Sequence, residues 1–219
     1  MTIHAKSSND PKIQKSVHTF DRVKRGGKLY YAVLDALTGF KEIPRMKGMM
    51  ETTTLVSPEE LIQWWAELAQ DEQSPDYYEL TEYGELVLSP RAETDHQRLC
   101  AEIAFQLRSQ LKGEAVVEAA VLTTTAGLRV PDVVWMPQAR WDQLPRNAVL
   151  QAPELVVEVL SPGNRTPEMK HKIQGYLQSG VQEVIVVGLT GTIEYIRKDG
   201  VHATSIFNLN LLLPSQLFS

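Results

Sequence analysis

Two short segments decide the fold of this chain: RVPDVVW at residues 129–135 and PELVVEVLSP at residues 153–162. Both are rich in β-branched residues and have proline within or beside them, a pattern that predicts short strands. Side chains alternate between the two faces of a strand, and in these segments both faces are apolar. Strands of this composition usually lie inside a sheet that is covered on both sides. The segments therefore predict an α/β protein organised around them.

Each predicted strand carries one carboxylate among hydrophobic residues, Asp132 in the first and Glu158 in the second. Burial of an ionised carboxylate costs roughly several kcal/mol, so something must offset it. A lysine or arginine partner is one solution. A divalent cation shared by the two carboxylates is another, because hard oxygen ligands suit Mg²⁺ or Mn²⁺. The residues alone leave both solutions open.

Composition narrows the class of protein. The chain has 219 residues and a formal net charge of −5, which suits one domain with or without a small extension. The single cysteine, Cys100, excludes an intrachain disulfide and a multi-cysteine metal site. No apolar run approaches the roughly 18 residues of a membrane helix, and the polar N-terminus lacks a signal-peptide core, so we expect a cytoplasmic protein. The acidic balance argues against non-specific nucleic-acid coating but permits a local basic cleft.

The sequence predicts an N-terminal extension, residues 1–51, before a main domain at residues 52–219. The extension comprises a polar tail and a hairpin with a turn at Gly26-Gly27. A second hairpin is predicted from the strand-like segments at residues 77–80 and 85–88.

Helical periodicity appears in three places. Ser57 to Glu60 form a predicted capping box before an apolar stripe that ends near Leu68. Residues 94–97 offer a second capping box, before a helix predicted to run to about Lys112. A third helix is predicted over residues 167–178.

His96 falls in the first turn of the second helix, where the helix dipole disfavours its charged form. It could be a capping or hydrogen-bonding residue, or a neutral histidine near a metal or water. Further strands are predicted at residues 116–123, 184–187, 193–197 and 203–207. The order of elements indicates a mixed sheet with helices packed against it.

The central segments resemble the core of the PD-(D/E)XK nucleases. Pro131-Asp132 matches the first half of that motif, and Glu158-Val159-Leu160 matches the second half except at its lysine. More narrowly, the chain from about Leu55 onward resembles the Uma-two family of restriction-endonuclease-like proteins. The supporting residues are Tyr78-Glu79-Leu80, Gly84-Glu85-Leu86, Ser89-Pro90, His96, Pro131-Asp132, the run at 152–162, Lys172 with Tyr176, and Gly180-Val181. The resemblance implies a restriction-endonuclease-like fold, with a mixed central β-sheet flanked by helices, and an endonuclease acting on DNA.

The resemblance also implies roles for individual residues. Asp132 and Glu158 are the expected Mg²⁺ (or Mn²⁺) ligands, helped by Glu79 or Glu85. Because Leu160 stands where the motif has its lysine, Lys172 is the expected substitute that orients the attacking water.

His96 is expected to hydrogen-bond a water or a phosphate oxygen. The expected contacts to the DNA backbone are Arg91, Arg98, Arg165 and Lys170. A homodimer is compatible with cutting both strands. The alternative is a nuclease fold that has lost turnover and acts as a binding or regulatory protein.

Overall fold

The computed structural model describes residues 19–25, 28–33, 54–72, 74–88, 93–161 and 166–218. The predicted tail and the turn at Gly26-Gly27 lie outside these residues. The strands are β1 (Thr19–Arg25), β2 (Lys28–Val33), β3 (Tyr78–Leu80), β4 (Leu86–Leu88), β5 (Glu114–Val117), β6 (Val121–Leu122), β7 (Leu128–Arg129), β8 (Val133–Met136), β9 (Leu150–Gln151), β10 (Leu155–Val159), β11 (Glu183–Val187), β12 (Ile193–Arg197) and β13 (Gly200–His202). The helices are α1 (Pro58–Leu68), α2 (Thr94–Gln110), α3 (Gln138–Trp141) and α4 (Thr166–Gln178).

The described strands form two mixed sheets, so the prediction of one central sheet was wrong. The first sheet has the order β2-β1-β4-β3-β7-β6-β9, and the second has the order β13-β12-β11-β10-β8-β5. The described pairs are antiparallel except for β6 with β9 and β10 with β11. The predicted hairpins are confirmed. The N-terminal one joins the first sheet because β1 also pairs with β4.

The chain passes between the two sheets at neighbouring bends, which divide segments predicted as single strands. Residues 116–123 become β5 and β6, and Glu118 between them has a φ of 52°. Residues 129–135 become β7 and β8 around Pro131, which has no N–H to donate to a ladder. The Glu118 amide donates to the Asp132 carbonyl at 3.2 Å and so links the bends. Asp132 therefore lies in a bend and not, as predicted, within a strand.

β10 lies inside the second sheet, between β8 and β11, and all its residues are buried. One face packs under α2, where Ile103 contributes to a core that includes Val157. The other face packs under α4, where Tyr176 belongs to the core that includes Val156. These two cores confirm that the strand is covered on both sides. Glu158 points with Val156, toward α4.

α1 has the predicted capping box. The Glu60 amide donates to Ser57 Oγ, and the Ser57 amide donates to the Glu60 carboxylate, both at 3.3 Å. Trp64 is buried against the hairpin of β3 and β4. A Cβ at Gly84, whose φ is +75°, would lie 2.2 Å from the Trp64 ring, so this turn requires glycine. Trp64 is therefore a packing residue of this core.

Two other predictions were wrong. The capping box at residues 94–97 is absent, because α2 begins after Glu93 and no side chain caps it. The strand expected at residues 203–207 is replaced by β13, which lies earlier. There, Ser205 Oγ and the Ile206 amide donate to the buried Glu183 carboxylate and not to a neighbouring strand. Among the described helices, none combines the length and the apolar character that a membrane crossing needs.

Candidate functional site

Asp132 ties the bend between the sheets to two other elements. Its Oδ2 accepts a hydrogen bond from the Val159 amide at 2.6 Å, at the end of β10. Its Oδ1 lies 2.8 Å from His96 Nε2, in the first turn of α2. Both side chains are about a fifth exposed (19% and 21%). The Asp132 carboxylate is therefore held from two directions while still reaching the protein surface.

Glu158 is buried on the α4 side of β10, with 4% of its surface exposed. Within the described residues, its one hydrogen bond comes from the Tyr176 hydroxyl, which donates to Oε1 at 2.8 Å. Burial raises the pKa of Glu158, and the charges of Asp132 and Glu79 raise it further. Lys172 and the Tyr176 hydrogen bond lower it only in part, so that the pKa is about 7. The protein's own groups compensate this carboxylate incompletely.

Lys172 brings a cation to Glu158 from α4. Its Nζ donates to Glu79 Oε1 at 2.8 Å. Burial acts to lower the pKa of the Lys172 ammonium, but the Glu158 and Glu79 carboxylates outweigh it and raise the pKa. Leu160 packs against the core on the same side of the sheet. The cation near Glu158 therefore comes from α4 and not from the end of β10.

Glu79, in β3, lies at the centre of a buried ion cluster. Besides Lys172, its carboxylate accepts from Arg129 Nη1 at 3.0 Å and from the Val130 amide at 2.9 Å. Burial acts to raise the pKa of Glu79, but the Lys172 and Arg129 charges outweigh it and lower the pKa. Arg129 is itself 3% exposed and also donates to the Ala126 carbonyl. Both oxygens of Glu79 are thus engaged by protein groups.

Arg129 was missed as a functional candidate. The signal was present, because an arginine inside the apolar segment RVPDVVW is as unusual as the aspartate after it. Its partner lies 50 residues away along the chain, so spacing could not identify it.

The remaining candidates lie elsewhere or outside the described chain. Glu85 is exposed, and its amide donates to Thr81 Oγ1 at 3.1 Å. Arg98 is exposed and pairs with Asp95 at 3.0 Å, while Lys170 is exposed on α4. Arg91 and Arg165 lie outside the described residues.

His96 differs from the expectation that the helix dipole would disfavour its charge. The hydrogen bond to Asp132 raises the pKa of His96, and burial offsets this only partly. The charges of Asp132, Glu118 and Glu158 add to the increase. One turn further along α2, Cys100 is buried, and burial raises the pKa of its thiol.

The residues present fit a hard divalent cation. Asp132 and Glu158 supply carboxylate oxygens, which Mg²⁺ and Mn²⁺ prefer. Burial, and to a smaller extent the charges of Asp132 and Glu79, raise the pKa of Glu158 to about 7, and a bound cation would offset this cost of ionisation. Glu79, by contrast, is already saturated by Lys172 and Arg129.

Known proteins resemble this chain in sequence and in fold. Residues 58–215 match the model of the Uma2 family, described as "putative restriction endonuclease". The fold is similar to the crystal structure of a putative nuclease of the DUF820 family from Anabaena variabilis, with a TM-score of 0.56 and 19% identity, over 69% of this chain and 96% of that one. No curated protein matches the chain. Because the family model covers more than half of the sequence, the resemblance to the Uma-two proteins is confirmed, and the chain belongs to the Uma2 family of putative restriction endonucleases.

Proposed function

We propose that this protein is a divalent-metal-dependent endonuclease that hydrolyses phosphodiester bonds in DNA. The observation that carries the proposal is the position of Lys172, a charged and largely buried lysine whose field acts on Glu158. It supplies the cation that the motif lacks at Leu160. A structural ion pair needs only Glu79, whereas a nuclease also needs a cation beside the second carboxylate of the motif.

In this proposal Asp132 and Glu158 hold Mg²⁺ or Mn²⁺. The bound cation would lower the pKa of a water and polarise the phosphodiester. Hydrogen bonds orient both proposed ligands. The Val159 amide and His96 bind Asp132, and the Tyr176 hydroxyl binds Glu158. Such support determines the orientation of metal ligands and often their affinity.

Lys172 acts on the attacking water and on the phosphate. Its ammonium group orients the water and stabilises negative charge as it develops on the phosphate oxygens. Glu79 and Arg129 act through Lys172, since the buried cluster fixes where the lysine stem ends. Arg98 and Lys170, both exposed, are proposed contacts to the DNA backbone, where neutralisation of phosphate provides most of the affinity. Cleavage of both strands would use a homodimer.

One observation favours the alternative, a non-catalytic DNA-binding or regulatory protein. Lys172 donates its described hydrogen bond to Glu79 and not to Glu158. Together with Arg129, it could serve only to balance buried charge. This alternative retains DNA binding but not turnover.

Plasmid nicking separates the two functions. Purified protein is incubated with supercoiled DNA in Mg²⁺ or Mn²⁺, beside Asp132→Asn and a chelator control. The nuclease predicts metal-dependent nicking that Asp132→Asn abolishes while the protein stays folded. Nicking that persists in Asp132→Asn would overturn the proposal.

Calorimetry with Mn²⁺ tests the metal site directly. We expect binding to wild type that is lost in Glu158→Gln. Binding of metal and DNA by wild type without nicking would favour the non-catalytic alternative. Absence of metal binding to folded wild type would remove the metal ligands from the proposal.

A further inference from the structure

We propose that His96, Cys100 and Asp132 form a second metal site, suited to a thiophilic divalent ion such as Zn²⁺. One nitrogen, one sulfur and one oxygen donor from these residues all lie within 4.8 Å of one another. The site stands on these three side chains alone. It therefore does not depend on nuclease activity, although it shares Asp132 with the proposed Mg²⁺ ligands.

Local structure explains why the donors meet. His96 and Cys100 are one helical turn apart on α2, so their side chains project from the same face. Asp132 faces them from the bend between β7 and β8, and its Oδ1 is already 2.8 Å from His96 Nε2. A helical pair with one ligand from another element is a common way to build a zinc site.

The donor set selects the class of metal. A thiolate and an imidazole favour Zn²⁺ and similar transition ions over Mg²⁺. Zinc bonds are about 2.3 Å to sulfur and about 2.0–2.1 Å to nitrogen, so tetrahedral donors lie roughly 3–4 Å apart. The three donor atoms now lie up to 4.8 Å apart, so the widest separation would have to shorten by about 1 Å when the metal binds. Three protein ligands leave a fourth position open.

The surroundings favour a cation and give it a way in. The negative charges of the Asp132, Glu118 and Glu158 carboxylates favour a positive charge near both His96 and Cys100. His96 and Asp132 are partly exposed, whereas Cys100 lies beneath them with 6% exposure. Glu118 is exposed on the neighbouring bend. A metal could therefore enter past His96 and Asp132 and reach the thiol behind them.

Binding would replace protons as well as the present hydrogen bond. The metal takes the place of the hydrogen on Cys100 Sγ, and that proton leaves to solvent. His96 would bind through Nε2 in its unprotonated form. Asp132 would exchange its contact with His96 for a bond to the metal. A thiophilic ion in this site should therefore weaken binding of Mn²⁺ at the Asp132 and Glu158 carboxylates.

Cobalt provides the test, because Co²⁺ stands in for Zn²⁺ and a cobalt–thiolate bond has a near-ultraviolet charge-transfer band. Cys100 is the only cysteine, so any such band reports this residue. We expect a saturable band in the wild-type protein that Zn²⁺ displaces. We expect it to be absent in Cys100→Ser and to need at least tenfold more Co²⁺ in His96→Ala.

Two results would overturn the site. One is the absence of the band in folded wild type at saturating Co²⁺, which would make Cys100 a packing residue of the α2 core. The other is an unchanged Co²⁺ affinity in His96→Ala, which would mean that the thiol binds without the cluster.

Glu158→Gln separates this proposal from the nuclease proposal. It removes a proposed Mg²⁺ ligand but none of the three donors, so it should keep the cobalt band while losing Mn²⁺ binding. Loss of the band in folded Glu158→Gln would contradict a separate site. Failure of plasmid nicking would leave the cobalt result unaffected.

Discussion

The two buried glutamates that share the field of Lys172 differ in how their charge is compensated. Glu79, in the first sheet, has Lys172, Arg129 and a backbone amide as partners, and its pKa is lowered. Glu158, in the second sheet, has one described hydrogen bond, from Tyr176, and a pKa raised to about 7. Their exposures, 1% and 4%, are nearly equal. Burial alone therefore does not determine the charge state; the supply of cations does.

The difference distinguishes a structural carboxylate from one that can take a ligand. A carboxylate whose charge is already balanced by buried cations gains little from a metal, because the metal would have to compete with Lys172 and Arg129. An incompletely compensated carboxylate gains a cation at no such cost. The difference supports the proposal that Glu79 positions Lys172 while Glu158 holds the metal. The same substitution at both positions should give opposite results.

The largest expected effect is the loss of stability in Glu79→Gln. This change removes the carboxylate that both Arg129 and Lys172 contact and leaves Arg129 only the more distant Glu82, at 3.9 Å; breaking a buried ion pair costs about 3 kcal/mol or more. Urea denaturation at neutral pH measures the loss. Glu79→Gln with wild-type stability would show that the cluster is not the scaffold described here.

Lys172→Met should reduce plasmid nicking by about 100- to 1000-fold, the range seen when one group that stabilises developing charge is removed. The matched control is Lys170→Met, an exposed lysine on the same helix, which should change nicking much less. Single-turnover rates at saturating DNA and metal measure the effect. Equal losses in the two variants would mean that Lys172 contributes only general positive charge.

Glu158→Gln should stabilise the metal-free protein in a pH-dependent way. The folded pKa of Glu158 is about 7, against an ordinary value of 4.5. Its protonated form is therefore favoured in the folded state, and this contribution is full below about pH 4.5 and lost as pH rises through 7. Between pH 5 and pH 8, the free energy of unfolding of the variant should therefore increase relative to that of wild type by on the order of 2–3 kcal/mol.

Unfolding in chelator at several pH values checks this sign. The stability of Glu79→Gln should show the opposite pH dependence. Since the folded pKa of Glu79 is lowered, its stabilisation is present above the ordinary value and should fade only at more acidic pH. A stability difference for Glu158→Gln that is flat from pH 5 to pH 8 would contradict the incomplete compensation of Glu158.

The sequence predicted those parts of the fold that depend on residues close together in the chain. Apolar residues on both faces of residues 155–159 required cover on both sides, and α2 and α4 provide it. The capping box at Ser57 and Glu60 predicted the start of α1. The side of β10 that carries Glu158 followed from the alternation of a strand.

Contacts distant in sequence determined the rest. The division into two sheets depends on the bends at Glu118 and Pro131, which neither segment shows alone. The raised pKa of His96 depends on a hydrogen bond to Asp132, which lies 36 residues away in the chain. The partners of Glu79 come from β7 and α4. The spacing of apolar residues along the chain does not reveal any of these contacts.

The smallest effect is expected at Glu85, an exposed glutamate on the same hairpin as Glu79. Glu85 lies beside β4, the strand that pairs with the one carrying Glu79, but its side chain is open to solvent. Glu85→Gln removes the same charge without uncovering a buried cation, so it should change unfolding free energy by less than about 0.5 kcal/mol and leave nicking intact. If Glu85→Gln instead lost as much stability as Glu79→Gln, the cost would follow from charge on this hairpin and not from the buried partners of Glu79.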